Sequence, residues 1–343
     1  MLNENNRGIL KLEKQKNCPK QWGPLQLMNS FPQSQVMFIK YILLLFALFL
    51  SSCIENSDNN KPNYQILLPF SIIDKEPAWS SDNKLIVYYH LQKTDSSGQL
   101  TPDTSGLYLI EPEGENKRLL LAGFTHSPDW SPSSNWIVFE QGTQIYKIKA
   151  NGDSLTQLTF QGRNFFPSWS PDGQWIAYDN TNCGSEVSQP TNKQCGILIM
   201  SIDGKNAQFI VRGRYPNWSP TGRYITYMGL HNDIYEINIG NPSSVKRITN
   251  FNKENIYSSV NRYPKYSPNG KNIIFLQFKA GVYSQIWVIS TNGDYKTQLT
   301  KNGAYTGDWS PDGRSIVFTN TLDGRLWTID PDGTNWQKIT SNN

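Results

Sequence analysis

Three segments of the chain combine arginine, an aromatic side chain and proline at similar spacings. They are Arg163-Asn164-Phe165-Phe166-Pro167, Arg212-Gly213-Arg214-Tyr215-Pro216 and Arg262-Tyr263-Pro264. A guanidinium binds carboxylates through paired N–H groups and stacks on aromatic planes, and tyrosine with arginine dominates many binding interfaces. These segments therefore predict a binding patch for an acidic partner. A second interpretation stays open, in which the aromatic rings pack internally and the arginines are solvated.

A second candidate for chemistry is Cys53. It ends the stretch Leu50-Ser51-Ser52-Cys53, which follows an apolar run that begins at Phe38 and holds one charge, Lys40. The run of about 13 residues is shorter than the ~20 that a membrane-spanning helix needs, and it has the form of a secretory signal. Its last four residues resemble a bacterial lipobox, which implies diacylation of Cys53; an ordinary signal peptide with an incidental cysteine is the alternative. Two acyl chains anchor a protein stably to a membrane.

The N-terminal region is thus predicted to have three parts. Residues 1–36 form an extension upstream of the signal that we expect to be untranslated or disordered, with Met37 as the natural start. Residues 37–52 are the lipoprotein signal peptide, and residues 53–63 are a lipidated polar tether. The residue after Cys53 is Ile54, and by the sorting pattern of lipoproteins this suggests delivery to the outer membrane.

Cys183 and Cys195 enclose eleven residues of a polar stretch. In an oxidising envelope compartment we expect them to form a disulfide, which stabilises the fold by about 3 kcal/mol in the chain-entropy account. No Cys-x-x-Cys pair or nearby histidine supplies further ligands. We therefore predict no metal site here.

Motifs of catalysis and of cofactor binding are absent from the sequence. There is no Gly-x-Ser-x-Gly, no phosphate-binding glycine loop and no dinucleotide fingerprint. The stretch from Asp330 to Asn335 lacks the distal glutamate of a calcium loop and is better explained as a hairpin turn. We therefore expect no cofactor, no metal and no catalytic residue.

The elements that must position these residues come from one repeated phrase. Its clearest copy is Pro167-Ser168-Trp169-Ser170-Pro171-Asp172-Gly173, and the aromatic residue recurs as Trp79, Trp130, Trp169, Trp218, Tyr266 and Trp309. A repeat of about 40–50 residues that is built from strands is typical of a propeller blade. Pro-Asp-Gly and its variants predict a hairpin turn, and β-branched runs follow each turn.

Each copy also contains a third apolar run, a glycine-containing turn and a short fourth run that ends in Leu-Thr or Ile-Thr. The predicted fold is therefore all-β: a six-bladed β-propeller of four-stranded antiparallel blades over residues 64–343, preceded by the lipoprotein signal segment. Tyr64 to Ser71 resembles a fourth strand, so we expect both termini to take part in ring closure. The longer connections all fall on one face, and the three arginine segments enter the central channel there.

The Trp-Ser-Pro-Asp-Gly repeat, with Ile-Tyr and Leu-Thr downstream, resembles the TolB-type β-propeller repeat. The resemblance implies a non-catalytic scaffold in the bacterial cell envelope that binds another protein, such as a peptidoglycan-associated lipoprotein. The chain departs from the family pattern in two ways, because it lacks the family's separate N-terminal domain and carries a lipidation motif. Participation in a Tol–Pal system is therefore left open.

Charge and composition limit the classes of partner. Residues 53–343 hold 26 basic and 26 acidic side chains, and this balance argues against nucleic acid. We expect a monomer, held at the outer membrane by its lipid anchor and facing the periplasm, that binds an envelope protein. The alternative is a propeller that binds or cleaves polysaccharide in its central channel. The three scattered histidines, His90, His126 and His231, weigh against a histidine-based metal site of the kind found in sugar-acid lyases of this fold.

Overall fold

The fold is known from a computed structural model, which describes residues 72–92, 104–181, 195–250, 259–279 and 282–341. These residues lie in one compact unit, Leu67–Asn343. They contain 24 β-strands and no α-helix. The predicted extension, signal peptide and tether, with Cys53, lie outside the described residues, as does Cys183.

The strands form six four-stranded antiparallel sheets, and each sheet uses four consecutive strands. Blade 1 contains β1 (Ile72–Trp79), β2 (Ile86–Gln92), β3 (Gly106–Ile110) and β4 (Arg118–Ala122). Blade 2 contains β5 (Thr125–Trp130), β6 (Trp136–Gln141), β7 (Gln144–Lys149) and β8 (Thr156–Gln157). Blade 3 contains β9 (Asn164–Trp169), β10 (Trp175–Asn180), β11 (Gly196–Ser201) and β12 (Gln208–Val211).

Blade 4 contains β13 (Arg214–Trp218), β14 (Tyr224–Met228), a 3-10 turn (Leu230–Asn232), β15 (Ile234–Asn238) and β16 (Asn241–Arg247). Blade 5 contains β17 (Ser259–Tyr266), β18 (Asn272–Lys279), β19 (Val282–Ser290) and β20 (Lys296–Gln298). Blade 6 contains β21 (Ala304–Trp309), β22 (Ile316–Asn320), β23 (Arg325–Ile329) and β24 (Gln337–Lys338). The first strands of successive blades are neighbours around a closed ring, with β21 next to β1. The predicted six-bladed propeller is therefore confirmed.

The repeated phrase closes the first hairpin of each blade through its serine. In blade 3 the Ser170 hydroxyl donates to Asp172 at 2.6 Å and accepts from the N–H of Trp175 at 2.8 Å. Gly173 takes the left-handed conformation at φ 71° that such a turn needs. The equivalent positions in the other blades also have positive φ: Asn83, Ser134, Gly222, Gly270 and Gly313. The turn chemistry predicted from the sequence is confirmed.

The tryptophan of the phrase packs between two blades. Trp169 of blade 3 lies in one buried cluster with Val138, Ile145 and Leu158 of blade 2. Trp79 of blade 1 packs in the same way against Val317 of blade 6 and so takes part in ring closure. Burying large apolar side chains stabilises a fold by roughly 1.5–3 kcal/mol each. The repeated tryptophan is thus the main apolar contact between neighbouring blades.

Polar contacts between the blades alternate around the ring. The N–H of Trp79 donates to Asp308 at 2.9 Å, that of Trp169 to Asp129 at 2.7 Å, and that of Tyr266 to Asn217 at 2.9 Å. At two of the intervening joints the indole N–H of the tryptophan donates instead to a backbone carbonyl of the preceding blade. The residue before the tryptophan is acidic or amide only in blades 2, 4 and 6, and this explains the alternation.

The threonine that ends most repeats also has a structural role. Its hydroxyl accepts a backbone N–H of the third strand, at 2.9–3.0 Å. The residues are Thr159, Thr249, Thr300 and Thr340. In the last blade this threonine follows β24, so the C-terminal segment supplies the fourth strand. Tyr64 to Ser71 lies outside the described residues, and its predicted part in ring closure stays a prediction.

Ring closure between blades 6 and 1 contains a buried ionic cluster. Asp74 on β1 contacts His90 Nδ1 at 2.5 Å and Arg325 of blade 6 at 3.2 Å. The backbone N–H of Asp74 donates to the carbonyl of Gly324 at 2.7 Å. Burial opposes ionisation of Asp74, but hydrogen bonds from His90 and Thr340 and the charge of Arg325 outweigh it and lower the pKa. The carboxylate therefore holds the two ends of the ring together.

We predict that Asp74→Ala lowers the free energy of unfolding by about 3–5 kcal/mol, because the buried guanidinium of Arg325 would lose its ion pair with Asp74. Since the pKa of Asp74 lies below its ordinary value of 3.8, the contribution is present at neutral pH and is lost as the pH falls below that value. Urea denaturation followed by tryptophan fluorescence checks this. Asp332→Ala, in an exposed hairpin turn where the carboxylate accepts hydrogen bonds from Thr334, is the control and should lower the midpoint much less than Asp74→Ala does. Equal midpoints for both variants would contradict this role of Asp74.

Candidate functional site

The first strand of every blade carries a β-bulge where it lines the centre of the ring. In each blade this strand has one residue more than the second strand opposite it, for example between Phe165 and Ser168. In five blades the extra residue has a left-handed backbone with φ between 51° and 58°, and it directly precedes proline. The residues are Glu76, Ser127, Phe166, Tyr215 and Tyr263. In blade 6 the equivalent pair is Thr306-Gly307.

This conformation is unfavourable for the residue types involved. Left-handed backbone is rare outside glycine and is an outlier for bulky side chains, and a following proline further restricts the residue before it. Such strain persists only where surrounding contacts hold it, and it concentrates at functional sites. The bulges surround a central depression of about 510 Å³, a volume that includes solvent at its open end. This depression and its rim are the candidate site.

Carboxylates from neighbouring strands hold the strained backbone in place. The N–H of Ser127 donates to Glu76 at 2.8 Å, and the N–H of Phe166 donates to Glu140 at 3.3 Å. Asp179 accepts the N–H of Tyr215 in the same way. In each case the acid belongs to the preceding blade. The bulges are thus stabilised by contacts between blades.

One half of the depression is aromatic. The rings of Phe166 and Tyr215 lie 4.5 Å apart between centroids, and those of Tyr215 and Tyr263 lie 4.4 Å apart. Tyr305 extends the group, since its ring lies 5.7 Å from that of Tyr263 and the two hydroxyls are 3.1 Å apart. We call Phe166, Tyr215, Tyr263 and Tyr305 the aromatic cluster. These spacings are those of favourable aromatic contacts.

Arg214 closes over this cluster. Its guanidinium lies 5.1 Å from the ring centroid of Tyr215 and 5.9 Å from that of Phe166. Its Nε donates to the buried carboxylate of Asp179 at 2.9 Å. Burial raises the pKa of Asp179 to about 6, although the charge of Arg214 and its hydrogen bond oppose that rise. Arg214 is therefore fixed by both a salt bridge and cation–π contacts.

The other arginines of the predicted patch differ from Arg214. Arg163 is exposed beside β9, with its guanidinium 5.7 Å from the ring of Phe165. Arg212 is exposed in the turn between β12 and β13. Arg262 is half-buried on β17, and its guanidinium lies 5.1 Å from the ring of Phe278.

The opposite half of the depression is polar and lies on blades 1 and 2. Glu76 contacts His126 Nδ1 at 3.3 Å and Lys75 Nζ at 3.8 Å. Burial opposes ionisation of Glu76, but Lys75 and His126 outweigh it and lower its pKa to about 2. Glu76 is thus a fixed negative charge. Burial raises the pKa of nearby Glu140 to about 8, and repulsion by Glu76 adds to the rise.

Charged side chains also lie at the base of the depression. Lys265 Nζ contacts Asp129 at 3.4 Å from the opposite side of the ring, and its charge partly offsets the burial that raises the pKa of Asp308. No group of three or more His, Cys, Asp or Glu side chains that could hold a metal ion occurs within the part of the chain that the structure describes. In the same part of the chain, no helix is long and apolar enough to cross a membrane.

Comparison with known proteins shows which proteins the propeller resembles. Residues 185–343 match the family model described as the TolB beta propeller domain. A putative TolB from Agrobacterium tumefaciens superposes with a TM-score of 0.55 at 22% identity, over 66% of this chain and 84% of that one. TolB from Acinetobacter baumannii gives 0.60 at 17% identity, over 88% and 90%. The C-terminal part of the propeller is therefore similar to the TolB beta propeller domain. At these identities the structural likeness shows the fold alone.

The propeller is also similar in fold to an enzyme. An oligogalacturonate lyase in complex with manganese superposes with a TM-score of 0.51 at 11% identity, over 78% of each chain. No curated protein matches the chain. The family resemblance inferred from the Trp-Ser-Pro-Asp-Gly repeat is confirmed, and the fold alone does not decide between binding and catalysis.

The structure brings together part of the predicted site. Phe166, Tyr215 and Tyr263 lie in one cluster with Arg214, whereas Arg163 and Arg212 lie at the exposed rim. The aromatic rings of neighbouring blades pack against one another, and Arg163 and Arg212 are exposed, as the alternative interpretation expected. Arg214 departs from that interpretation because it pairs with Asp179. That these residues bind a partner is a proposal, which is argued from their geometry below.

Sequence analysis missed the acids that support the site. Glu140 and Asp179 occupy equivalent positions near the ends of β6 and β10 and are buried. An acidic residue that ends a β-branched and aromatic strand is a signal that could have identified them. Glu76 could also have been found, because it precedes Pro77 as Tyr215 precedes Pro216.

We predict that Glu140→Gln makes the protein more stable at pH 8, by on the order of 2 kcal/mol, with little difference at pH 4.5. The pKa of Glu140 is about 8 in the fold and near its ordinary value of 4.5 in the unfolded chain. Stability from the protonated acid is therefore lost as the pH rises between these values, whereas glutamine does not titrate. Urea denaturation of both proteins across this range tests the prediction. Parallel pH profiles for the two proteins would contradict it.

Proposed function

We propose that the propeller binds an acidic, carboxylate-bearing segment of another protein of the bacterial cell envelope at the open end of its central depression. The observation that carries the proposal is the aromatic cluster, whose members Phe166, Tyr215 and Tyr263 face the depression through strained bulges beside Arg214. The proposed role is that of a scaffold without catalysis of its own.

The chemistry of the cluster supports a protein partner. Tyrosine, phenylalanine and arginine are enriched in the centres of binding interfaces, where fixed aromatic rings offer a large contact area at a small cost in conformational entropy. The rim adds positive charge through Arg163 and Arg212, which are exposed on the face where the inter-blade connections lie. Positive charge at a rim steers acidic partners toward the site.

Exposed apolar side chains on the same face extend this surface. Phe160, in the connection between blades 2 and 3, is 74% exposed, and Phe124 occupies the equivalent connection between blades 1 and 2 at 43%. Leu322, between β22 and β23, is also on this face and is 48% exposed. A partner that inserts a segment into the depression can bury these side chains around it.

The resemblance to TolB supports a partner in the cell envelope, with a peptidoglycan-associated lipoprotein as the first candidate. We further propose that Cys53 is diacylated, that residues 53–63 tether the propeller to the outer membrane facing the periplasm, and that Cys183 and Cys195 form a disulfide. These proposals rest on the signal-like run, the lipobox resemblance and the cysteine spacing.

We predict that Arg163→Glu combined with Arg262→Glu reduces capture of the partner from envelope extract at least tenfold, because two positive charges that face an acidic segment become negative. Quantitative affinity capture with mass spectrometry measures the effect. Arg223→Glu, exposed in the hairpin of blade 4 on the opposite face, is the control. Undiminished capture by the double variant would refute the proposed site. Loss of capture by Arg223→Glu alone would do so as well.

We predict that Cys53→Ser moves the protein from the membrane to the soluble fraction, because a serine side chain cannot carry the thioether-linked acyl chains. Metabolic labelling with a palmitate analogue, followed by fractionation, measures both effects. Cys183→Ser serves as the control and should leave labelling unchanged. Labelled, membrane-bound Cys53→Ser protein would contradict the lipid anchor and leave the binding proposal untouched.

A further inference from the structure

The arginines of the propeller fall into two groups according to their partners. Arg214, Arg247 and Arg325 each pair with a buried aspartate, namely Asp179, Asp233 and Asp74. Arg262 has no ion pair within the described chain, and its buried Nε has no hydrogen-bond partner. A buried donor without a partner is costly, so such a group calls for an explanation.

The contacts of Arg262 fix its guanidinium close to Tyr263 and Tyr305, whose pKa values it influences, without neutralising its charge. Its charge lies 5.1 Å from the ring centroid of Phe278 on the neighbouring strand. A cation–π contact of this kind orients the guanidinium plane and leaves its N–H groups available for a ligand. The next residue in the chain, Tyr263, has its backbone fixed in the left-handed conformation at φ 53°. Arg262 is therefore a positioned cation without a counter-ion among the described residues.

A tyrosine hydroxyl near Arg262 offers a second hydrogen-bond donor. The hydroxyls of Tyr263 and Tyr305 are 3.1 Å apart, and only one of them can donate to the other. The second hydroxyl keeps a proton for an acceptor from outside. Burial raises the pKa of both tyrosines, and the nearby charge of Arg262 only partly opposes the rise. Both hydroxyls therefore remain protonated at neutral pH.

We infer that Arg262, together with the hydroxyl pair of Tyr263 and Tyr305, is the subsite that contacts the carboxylate of the ligand, and that Arg214 instead positions the aromatic cluster. The inference deepens the proposed function and rests on it for the identity of the partner. One guanidinium with one phenol proton matches the two oxygens of a carboxylate. Arg214 is already occupied by Asp179, so it has less charge to offer.

The expected ligand has an apolar group next to its acid. The aromatic cluster lies directly beside the proposed subsite, because Tyr263 belongs to both. An acidic residue next to an aromatic or aliphatic residue in a partner segment fits this arrangement. Phenylacetate reproduces both features in a small probe, and phenylacetamide has the same shape without the charge.

The test measures the affinity of both probes for the full-length protein by saturation-transfer NMR. In the wild-type protein we expect phenylacetate to bind at least tenfold more tightly than phenylacetamide. Arg262→Gln should reduce this ratio to nearly one. Arg214→Gln should weaken both probes alike and keep the ratio, because it disturbs the rings that both probes contact. Tyr263→Phe combined with Tyr305→Phe should lower the ratio severalfold.

The results distinguish the subsite from a structural role. The assignment of the subsite to Arg262 would be overturned if the preference for phenylacetate over phenylacetamide survived in Arg262→Gln or was lost in Arg214→Gln. Equal binding of both probes to the wild-type protein would overturn it as well. Urea midpoints confirm that each variant is folded, and Arg262→Lys, which keeps the charge, should retain part of the ratio. A preserved probe ratio without any captured envelope protein would reject the proposed function and leave the subsite intact. Partner capture that is unaffected by Arg262→Gln would reject the subsite and leave the proposed function intact.

Discussion

The left-handed residue in the first strand of five blades is the constraint on which the site depends. A regular strand would continue its alternation past this point, whereas the bulge adds one residue and turns its side chain toward the centre of the ring. The cost of the strained backbone is offset by the carboxylates Glu76, Glu140 and Asp179, which accept the N–H groups at the bulges. Since each acid comes from the preceding blade, the geometry of the site requires the assembled ring.

The ring in turn depends on contacts between blades that repeat around it, whereas the residues of the site differ from blade to blade. Every joint buries an aromatic residue of the repeated phrase, and the polar contacts alternate between carboxylate or amide acceptors and backbone acceptors. At the same level of the channel, blades 1 and 2 present Glu76 and His126, whereas blades 3 to 6 present the aromatic cluster. A scaffold of near-equal blades thus supports a depression with one acidic side and one aromatic, basic side.

Much of the fold could be predicted from the sequence because the residues that form each blade lie close together in the sequence and recur in every repeat. The turn Ser-Pro-Asp-Gly, the tryptophan before it and the threonine at the end of each repeat form hydrogen bonds or apolar contacts that recur six times or nearly so. Six copies in phase identify the blades, and the spacing of the turns identifies their four strands. The aromatic residues that directly precede proline could be selected as candidate site residues for the same reason, because their position in the repeat recurs from blade to blade.

The parts of the site that could not be predicted involve residues from different blades. The salt bridge between Arg214 and Asp179 joins blades 3 and 4, and nothing in the local sequence of either residue specifies the other. Arg262 and Arg214 occupy similar positions before a tyrosine and a proline, yet within the described parts of the chain only Arg214 of the two has a carboxylate partner. The difference arises because blade 3 has Asp179 on its second strand, whereas β14 of blade 4 ends in Met228. The different roles of Arg214 and Arg262 therefore become visible only in the assembled ring.

The most direct test of binding at this face is photo-crosslinking in living cells. A photoreactive phenylalanine at Phe160, which is exposed beside the depression, should form a crosslink to one envelope protein. The same group at Tyr295, which is exposed in the turn between β19 and β20 on the opposite face, should not. This pattern is the one that the account predicts. Crosslinks to the same protein from Tyr295 alone would contradict it.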